Sequence, residues 1–258
     1  MKKVLFEIIS NIAYITINRP EVMNAMDPET YHLLSEAWCE VRDNPEIRVA
    51  IITGAGEKAF TAGADLKTAI PRQPEKFEFW LTQKDMILNR GLEVWKPVIA
   101  AVNGYCLGGG MTLLMATDLR VASENSVFEI SEVKRGIFPA SGGTQRILKQ
   151  LPYAIAMEMI LLGRRFSAQE ALRWGLINKV VPNANLMMAA EEYADLVKRN
   201  APLATQAIKE LVVRSQSLPL EQGLRLEAAL FEIIKSTEDA KEGPIAFAQK
   251  RTPVYQGK

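Results

Sequence analysis

Residues 97–118 constrain the fold of this chain more than any other stretch. They spell PVIAAVNGYCLGGGMTLLMATD, in which a strand-length apolar run (98–102), the turn pair Asn103-Gly104 and the glycines at 108–110 precede an apolar helix start. The first turn of a helix has N–H groups without intrahelical partners, and partial positive charge gathers there. Three glycines leave those donors uncovered. The pattern therefore predicts a strand–turn–helix unit suited to an anion, either a standing one or one formed during a reaction.

Known nucleotide motifs do not account for these glycines. The phosphate-loop pattern GxxxxGK[ST] is absent, and Leu113 occupies the last glycine position of GxGxxG. One alternative is that the glycines only permit close helix packing. A second stretch, KAFTAGADLK at 58–67, also follows a strand-like run and a glycine turn. Two N–H donors brought together from two such turns would form an oxyanion hole.

Hydrophobic periodicity and turn residues predict an α/β fold that becomes almost entirely helical after about residue 182. Strands are predicted at 4–9, 12–17, 49–53, 98–102, 119–122, 126–130 and 177–181. Helices are predicted at 28–43, 75–95, 142–150, 152–162, 167–174, 184–199, 202–217, 219–235 and 237–249.

The composition is that of an ordinary globular protein: 258 residues, 48% hydrophobic, 24% charged and a net charge of +1. This charge balance predicts neither a nucleic-acid nor an anionic-membrane partner. Glu7 interrupts the apolar N-terminus, which we interpret as strands rather than a signal peptide, and no apolar run approaches the ~18 residues of a membrane span. We therefore expect a cytoplasmic protein.

Two cysteines and one histidine make a metal site of usual composition unexpected. Cys106 lies in the glycine turn, where a nucleophile would be conceivable. The one imidazole base, His32, is distant in sequence, so we interpret Cys106 as a small buried residue.

The segments AFTAGADLK, AAVNGYCLGGG and FEISEVKRGIFPASGGTQR, in this order and spacing, resemble the crotonase (enoyl-CoA hydratase/isomerase) superfamily. The resemblance extends over nearly the whole chain, from ITINRP at 15–20 to EGP at 242–244. It implies a crotonase-like spiral of ββα turns over residues 1–195, which contains the CoA-binding and active sites. A helical C-terminal region, 196–258, would make the contacts of a homotrimer, often within a dimer of trimers.

The resemblance places the oxyanion hole on the backbone N–H groups of Ala64 and Gly109. A thioester enolate carries negative charge on one oxygen, which two fixed donors stabilise without reorganisation. Losing one such donor typically costs ~2.7–4 kcal/mol.

Hydratases of this superfamily hold water with two glutamates, and this chain retains one of the two positions. The first position is Thr112 here, and the second is Glu132. Another acid found in some relatives falls at Ala140, beside Ser141. One glutamate suffices to move a proton along an allylic system, which favours isomerisation, whereas hydration is the commoner reaction. A one-glutamate hydratase of ring substrates remains open.

We predict that Glu132 is the catalytic acid/base, in an environment that raises its pKa. The alternative is a surface ion pair with Lys134 or Arg135. Thr112 either holds a water or substrate hydroxyl or is simply a helix residue facing the pocket. Strand alternation places Glu129 on the face opposite Glu132, although a kink would let it serve as a second acid.

The resemblance implies contacts with CoA, which is part of the substrate, so no separate cofactor is expected. Glu21 stands where a lysine often holds phosphate. The residues that match CoA-contacting positions lie in three segments, the last of which would reach a neighbouring subunit: Val22 and Ala25; Ala64, Asp65 and Leu66; Phe247 and Lys250. Lys250 is alternatively a solvated charge on the last helix.

The acyl pocket would be lined by the helix at 75–95, with Phe77, Phe79, Trp80 and Met86. The leading hypothesis is an acyl-CoA enzyme that stabilises an enolate. Two alternatives are a thioester hydrolase using Glu132 and a non-catalytic relative that binds RNA or protein.

Overall fold

The computed structural model describes residues 2–69, 87–88 and 91–258. The chain begins with the predicted hairpin, in which β1 (Val4–Ile9) pairs antiparallel with β2 (Ile12–Ile17). Ser10 and Asn11 connect them with φ angles of 50° and 66°, the positive values that a two-residue type I′ turn requires.

A six-stranded sheet forms the centre of the molecule, with the strand order β1-β2-β3-β5-β7-β10. From β2 onward its neighbours are parallel. Its inner strands are nearly continuous apolar runs because parallel strands are buried on both faces. The strands added to the hairpin are β3 (Val49–Gly54), β5 (Val98–Val102), β7 (Leu119–Ser123) and β10 (Lys179–Val181).

A second sheet of four short strands has the order β4-β6-β8-β9. The strands β4, β6 and β9 were not predicted, because two or three residues are too few to show an alternating pattern. Each of β4, β6 and β8 directly follows a strand of the large sheet, which gives the ββα succession that the resemblance implies. The strands are β4 (Ala59–Thr61), β6 (Tyr105–Leu107), β8 (Val127–Glu129) and β9 (Phe166–Ser167).

The helices begin and end close to the predicted positions. The helix α1 starts where Asp27 accepts a hydrogen bond from the Thr30 amide, with Pro28 as its first residue. The described helices are α1 (Pro28–Asp43), α2 (Leu66–Ala69), α3 (Gly109–Leu114), α4 (Gly143–Gln150), α5 (Tyr153–Leu162), α6 (Ala168–Arg173), α7 (Leu186–Lys198), α8 (Pro202–Ser215), α9 (Leu220–Lys235) and α10 (Glu238–Ala248).

The helix predicted at 75–95 lies largely outside the described residues, as do Phe77, Phe79, Trp80 and Met86. Its predicted end is wrong, because residues 91–95 are turn and coil rather than helix.

The core occupies both faces of the large sheet. Successive residues of β3 point to opposite sides, so Ile52 belongs to the core cluster that contains Trp38, while Ile51 belongs to the cluster on the other face, with α7. Beyond α7 the chain is helical, and α8–α10 carry exposed apolar residues such as Phe231 and Phe247. Among the described residues, no helix is both long enough and apolar enough to cross a membrane.

Candidate active site

Two glycine turns approach each other so closely that their main-chain atoms leave no room for a side chain between them. A Cβ placed on Gly63 would lie 2.7 Å from both the Gly109 nitrogen and the Leu107 oxygen. Gly63 also has a φ of +87°, which L-residues rarely adopt. Only glycine fits at position 63, and its small size brings the loop after β4 against the start of α3.

The amides of Ala64 and Gly109 lie next to each other at this crossing. A Cβ on Gly109 would be 3.3 Å from the Ala64 nitrogen and 3.4 Å from the Tyr31 hydroxyl oxygen. Met26 bonds the neighbours of Ala64, donating to the Gly63 oxygen and accepting from the Asp65 nitrogen. In the described part of the chain, neither the Ala64 nor the Gly109 N–H has a backbone acceptor. The arrangement presents two adjacent main-chain donors.

Glu132 places its carboxylate beside the same glycine turn. It begins the 3₁₀ turn Glu132–Arg135, and a Cβ on Gly108 would lie 3.5 Å from its Oε1 atom. Its Oε2 atom is buried without a hydrogen-bond partner among the described residues. Burial raises the pKa of the Glu132 carboxyl, and the negative charge of Glu129 acts in the same direction. A raised pKa of this kind is one way in which proteins prepare a carboxyl group for general acid/base catalysis.

Glu129 is buried and bound to two cations. Its Oε1 lies 3.0 Å from Lys134 Nζ, and its Oε2 lies 2.8 Å from Arg165 Nε. Burial by itself would raise the pKa of Glu129, but the hydrogen bonds from Arg165 and Lys134 outweigh it and lower that pKa. Glu129 is therefore held as an ionised structural carboxylate rather than as an unpartnered second acid, and Lys134 pairs with Glu129 instead of Glu132.

Thr112 is buried on α3 and faces the start of α4. Its hydroxyl donates to the Gly109 oxygen at 2.8 Å. A Cβ on Gly143 would lie 2.7 Å from the Thr112 methyl carbon and 2.8 Å from Pro139 Cβ. Ala140 is exposed in the loop before α4. Neither position supplies a carboxylate to the site.

Arg19 joins two of the segments expected to contact CoA. Its Nη1 donates to the Ala25 oxygen and lies 3.2 Å from Asp65 Oδ2, so the loops flanking Ala64 are tied together. Val22 ends the 3₁₀ turn Pro20–Val22 and is exposed, as is Leu66 at the start of α2. Sequence reasoning missed this role of Arg19 and the position of Tyr31, since no local pattern indicates either contact.

Phe247 lies in the last helix, α10, and Lys250 follows just after its end. Phe247 is 87% exposed on α10, and α10 packs against α9. Across the described residues, no hydrogen bond or ion pair joins either residue to Ala64, Gly109 or Glu132.

The same two-sheet spiral occurs in known structures of the crotonase fold. A probable enoyl-CoA hydratase/isomerase from Mycobacterium abscessus superimposes with a TM-score of 0.90 at 38% identity, covering 99% of both chains. An enoyl-CoA hydratase from Bacillus anthracis does so with a TM-score of 0.92 at 35% identity, covering 100% of both chains.

Sequence comparison agrees over nearly the whole chain. The family model for enoyl-CoA hydratase/isomerase matches residues 7–258. The chain is 42% identical over 254 residues to (E)-benzylidenesuccinyl-CoA hydratase of Thauera aromatica, covering 98% of this chain and 99% of the relative. It is 46% identical over 251 residues to carnitinyl-CoA dehydratase of Salmonella typhi, covering 96% and 95%. This chain belongs to the enoyl-CoA hydratase/isomerase family and is an acyl-CoA enzyme.

Proposed function

We propose that this enzyme adds water to the double bond of an enoyl-CoA, or forms that double bond by removing water from a hydroxyacyl-CoA. The main-chain amides of Ala64 and Gly109 would bind the thioester oxygen, and Glu132 would be the acid/base. The observation that carries the proposal is the Glu132 carboxylate beside the glycine turn that leads to the Gly109 amide, with its Oε2 atom buried and without a hydrogen-bond partner among the described residues.

The proposed step requires one carboxylate to act twice. Ionised Glu132 takes a proton from the attacking water while the hydroxyl oxygen bonds to the β-carbon. The electron pair of the double bond moves onto the thioester oxygen, where the two amides stabilise the charge. The resulting enolate then takes a proton from Glu132 at the α-carbon, so that both atoms of the double bond are satisfied and Glu132 is ionised again.

The full-length relatives support hydration and dehydration. One is named a hydratase and another a dehydratase. The acyl groups of the CoA thioesters in these two names carry additional functional groups. We therefore include such acyl groups among the candidate substrates. Isomerisation is the second candidate, since the first glutamate position holds Thr112, whose hydroxyl donates to Gly109. A single glutamate would then move a proton between the α- and γ-carbons.

A panel of CoA thioesters tests these alternatives. The panel comprises crotonyl-CoA, a 3-enoyl-CoA, a cyclic dienoyl-CoA, (E)-benzylidenesuccinyl-CoA and carnitinyl-CoA, followed at the absorbance band of the conjugated thioester. Loss of conjugation in water supports hydration, and its gain from carnitinyl-CoA supports dehydration. Gain from the 3-enoyl substrate indicates isomerisation, and release of free thiol indicates hydrolysis. Silence with all of them, together with RNA binding, would favour a non-catalytic relative.

Replacing Glu132 tests its role directly. Glu132→Gln is expected to slow turnover by roughly 10²–10⁴-fold, the usual contribution of a positioned acid/base. Glu192→Gln is the control, because Glu192 forms a surface ion pair with Lys179. Full turnover by the Glu132 variant on the substrate would contradict the assignment.

We further propose a homotrimer, or a dimer of trimers, in the cytoplasm. The exposed Phe247 and nearby Lys250 would then contact CoA bound to a neighbouring subunit. Sedimentation velocity tests the assembly, and Lys250→Ala should raise KM for a CoA thioester without changing kcat. A monomer in solution would contradict this proposal.

A further inference from the structure

Glu129, Lys134 and Arg165 form a charged cluster next to the candidate acid/base; we call it the Glu129 cluster. The Glu129 side chain is only 6% exposed, whereas those of Lys134 and Arg165 are 46% and 62% exposed. Each carboxylate oxygen has its own cation, at 3.0 Å and 2.8 Å. Charge-assisted hydrogen bonds of this kind fix the geometry of both partners.

The main chain of Glu129 holds the glycine turn. Its carbonyl oxygen accepts a hydrogen bond from the Gly108 nitrogen at 2.8 Å. The register of β6 and β8 places Leu107 opposite Glu129, so this bond continues the ladder of the small sheet by one residue. The residue that follows is Gly109, one of the two proposed amide donors.

The side chain of Glu129 is bound to the turn that carries Glu132. Lys134 belongs to the turn Glu132–Arg135, so its bond to Glu129 closes a short loop of chain around Glu132. Lys134 also packs against the turn that ends α5, because a Cβ on Gly163 would lie 3.1 Å from Lys134 Cε. Arg165 lies over the Tyr105 ring of β6, 5.7 Å from its centre.

We propose that Glu129 is a positioning residue that fixes the Glu132 carboxylate relative to the Gly109 amide. The inference rests on the proposed function, in which both groups act on one thioester. In this proposal Glu129 itself transfers no proton, because both of its oxygens are bound to cations. One residue thus links the two halves of the site, by its carbonyl to the glycine turn and by its carboxylate to the acid/base turn.

The test uses the 258-residue protein and two variants, Glu129→Gln and Lys134→Met. The control is Lys179→Met, which breaks a surface ion pair at 2.8 Å outside the cluster. Amide hydrogen exchange is measured by mass spectrometry on the free protein. The Glu129 and Lys134 variants should speed exchange in the 131–137 peptide by about tenfold or more, the equivalent of one lost interaction of roughly 1.4 kcal/mol. Peptides from β5 and β7 should be unchanged, which shows that the fold is retained.

Turnover of crotonyl-CoA, or of whichever panel thioester the wild-type protein uses, supplies the second measurement. We expect kcat to fall by about tenfold or more in the Glu129 and Lys134 variants while KM stays within about twofold, since positioning acts on the chemical step. The Glu129→Gln/Lys134→Met double variant should be no slower than the slower single variant, because both changes break one linkage.

Three outcomes would overturn the inference: unchanged exchange at 131–137, faster exchange in every peptide, or a raised KM with unchanged kcat. If the wild-type protein turns over none of the thioesters, the proposed function fails. The exchange measurement still decides whether the Glu129 cluster holds the turn.

Discussion

The Glu132 carboxylate lies beside Gly108, the residue before the Gly109 amide. A Cβ at Gly108 would be 3.5 Å from Glu132 Oε1 and 3.7 Å from Oε2. A Cβ here would be in ordinary van der Waals contact with the acid, so it is the φ of +51°, rather than lack of space, that favours glycine at position 108. The proposed catalysis through these groups would therefore depend on backbone shape as much as on the acid.

The pH dependence of stability should reveal the burial of Glu132. Burial raises the pKa of this carboxyl, so the folded protein binds its proton more tightly than the unfolded chain. Ionisation then destabilises the fold above the raised pKa, and this effect is absent below the ordinary value of 4.5. Glu132→Gln should therefore be more stable than wild type at pH 8 and equally stable near pH 4. Chemical denaturation across this range checks it; a stability difference independent of pH would contradict it.

Position 63, where the two glycine turns meet, should tolerate no side chain. In Gly63→Ala the new Cβ would meet the Gly109 nitrogen and Leu107 oxygen at 2.7 Å, and main-chain atoms cannot rotate away. Gly175→Ala is the matched control, because its φ of +76° is similar but nothing lies within 4 Å. We expect the free energy of unfolding to fall by about 1–2 kcal/mol in the control, because of backbone strain. In Gly63→Ala it should fall further, and turnover should be lost as well. Equal losses, measured by denaturation, would show that the contact at position 63 is relaxed.

Thr112 should contribute to helix geometry rather than to chemistry. Thr112→Val removes the hydroxyl that donates to the Gly109 oxygen while nearly preserving the shape that packs against Gly143. We expect a stability loss of about 1 kcal/mol, typical of one hydrogen bond. The rate constant kcat should change by less than about fivefold, which corresponds to the same energy. A much larger fall in kcat, with stability unchanged, would instead indicate that this hydroxyl holds water or substrate.

Asp27 should stabilise the first helix only while it is ionised. Burial alone would raise its pKa, but hydrogen bonds from Lys3 and Thr30 outweigh burial and lower the pKa to about 2. The stabilisation is therefore complete above the ordinary value of 3.8 and is lost as the pH falls towards 2. Asp27→Asn should be less stable by roughly 1–2 kcal/mol at pH 7, with the difference narrowing below pH 3.8. Paired thermal unfolding at several pH values measures this, and a constant difference down to pH 3 would refute it.

Long, strongly patterned segments were predictable from the sequence. The hairpin β1–β2, the helix α1 and the buried strand β5 follow from alternation, capping residues and apolar runs. The small sheet was missed in part, because strands of two or three residues carry no period. Because β9 was missed, the partner Arg165 of Glu129 was missed too, since the pairing of β8 with β9 brings these two residues together.

The candidate site was predictable only as far as the resemblance extends. Ala64, Gly109 and Glu132 were chosen by motif, and the structure brings their segments together. The roles assigned to them remain predictions. Contacts made by side chains distant in sequence, such as Arg19 with Asp65, depend on how the loops cross and leave no pattern along the chain.

The contact between Gly63 and Gly109 also indicates where new chemistry should be sought by laboratory evolution. Residues 112 and 140 lie on α3 and in the loop before α4, and randomising them adds no Cβ at the crossing. A library at these two positions would therefore sample different arrangements of acids around one unchanged pair of amides. Selection could then alter which bond is made or broken while keeping the same activated thioester.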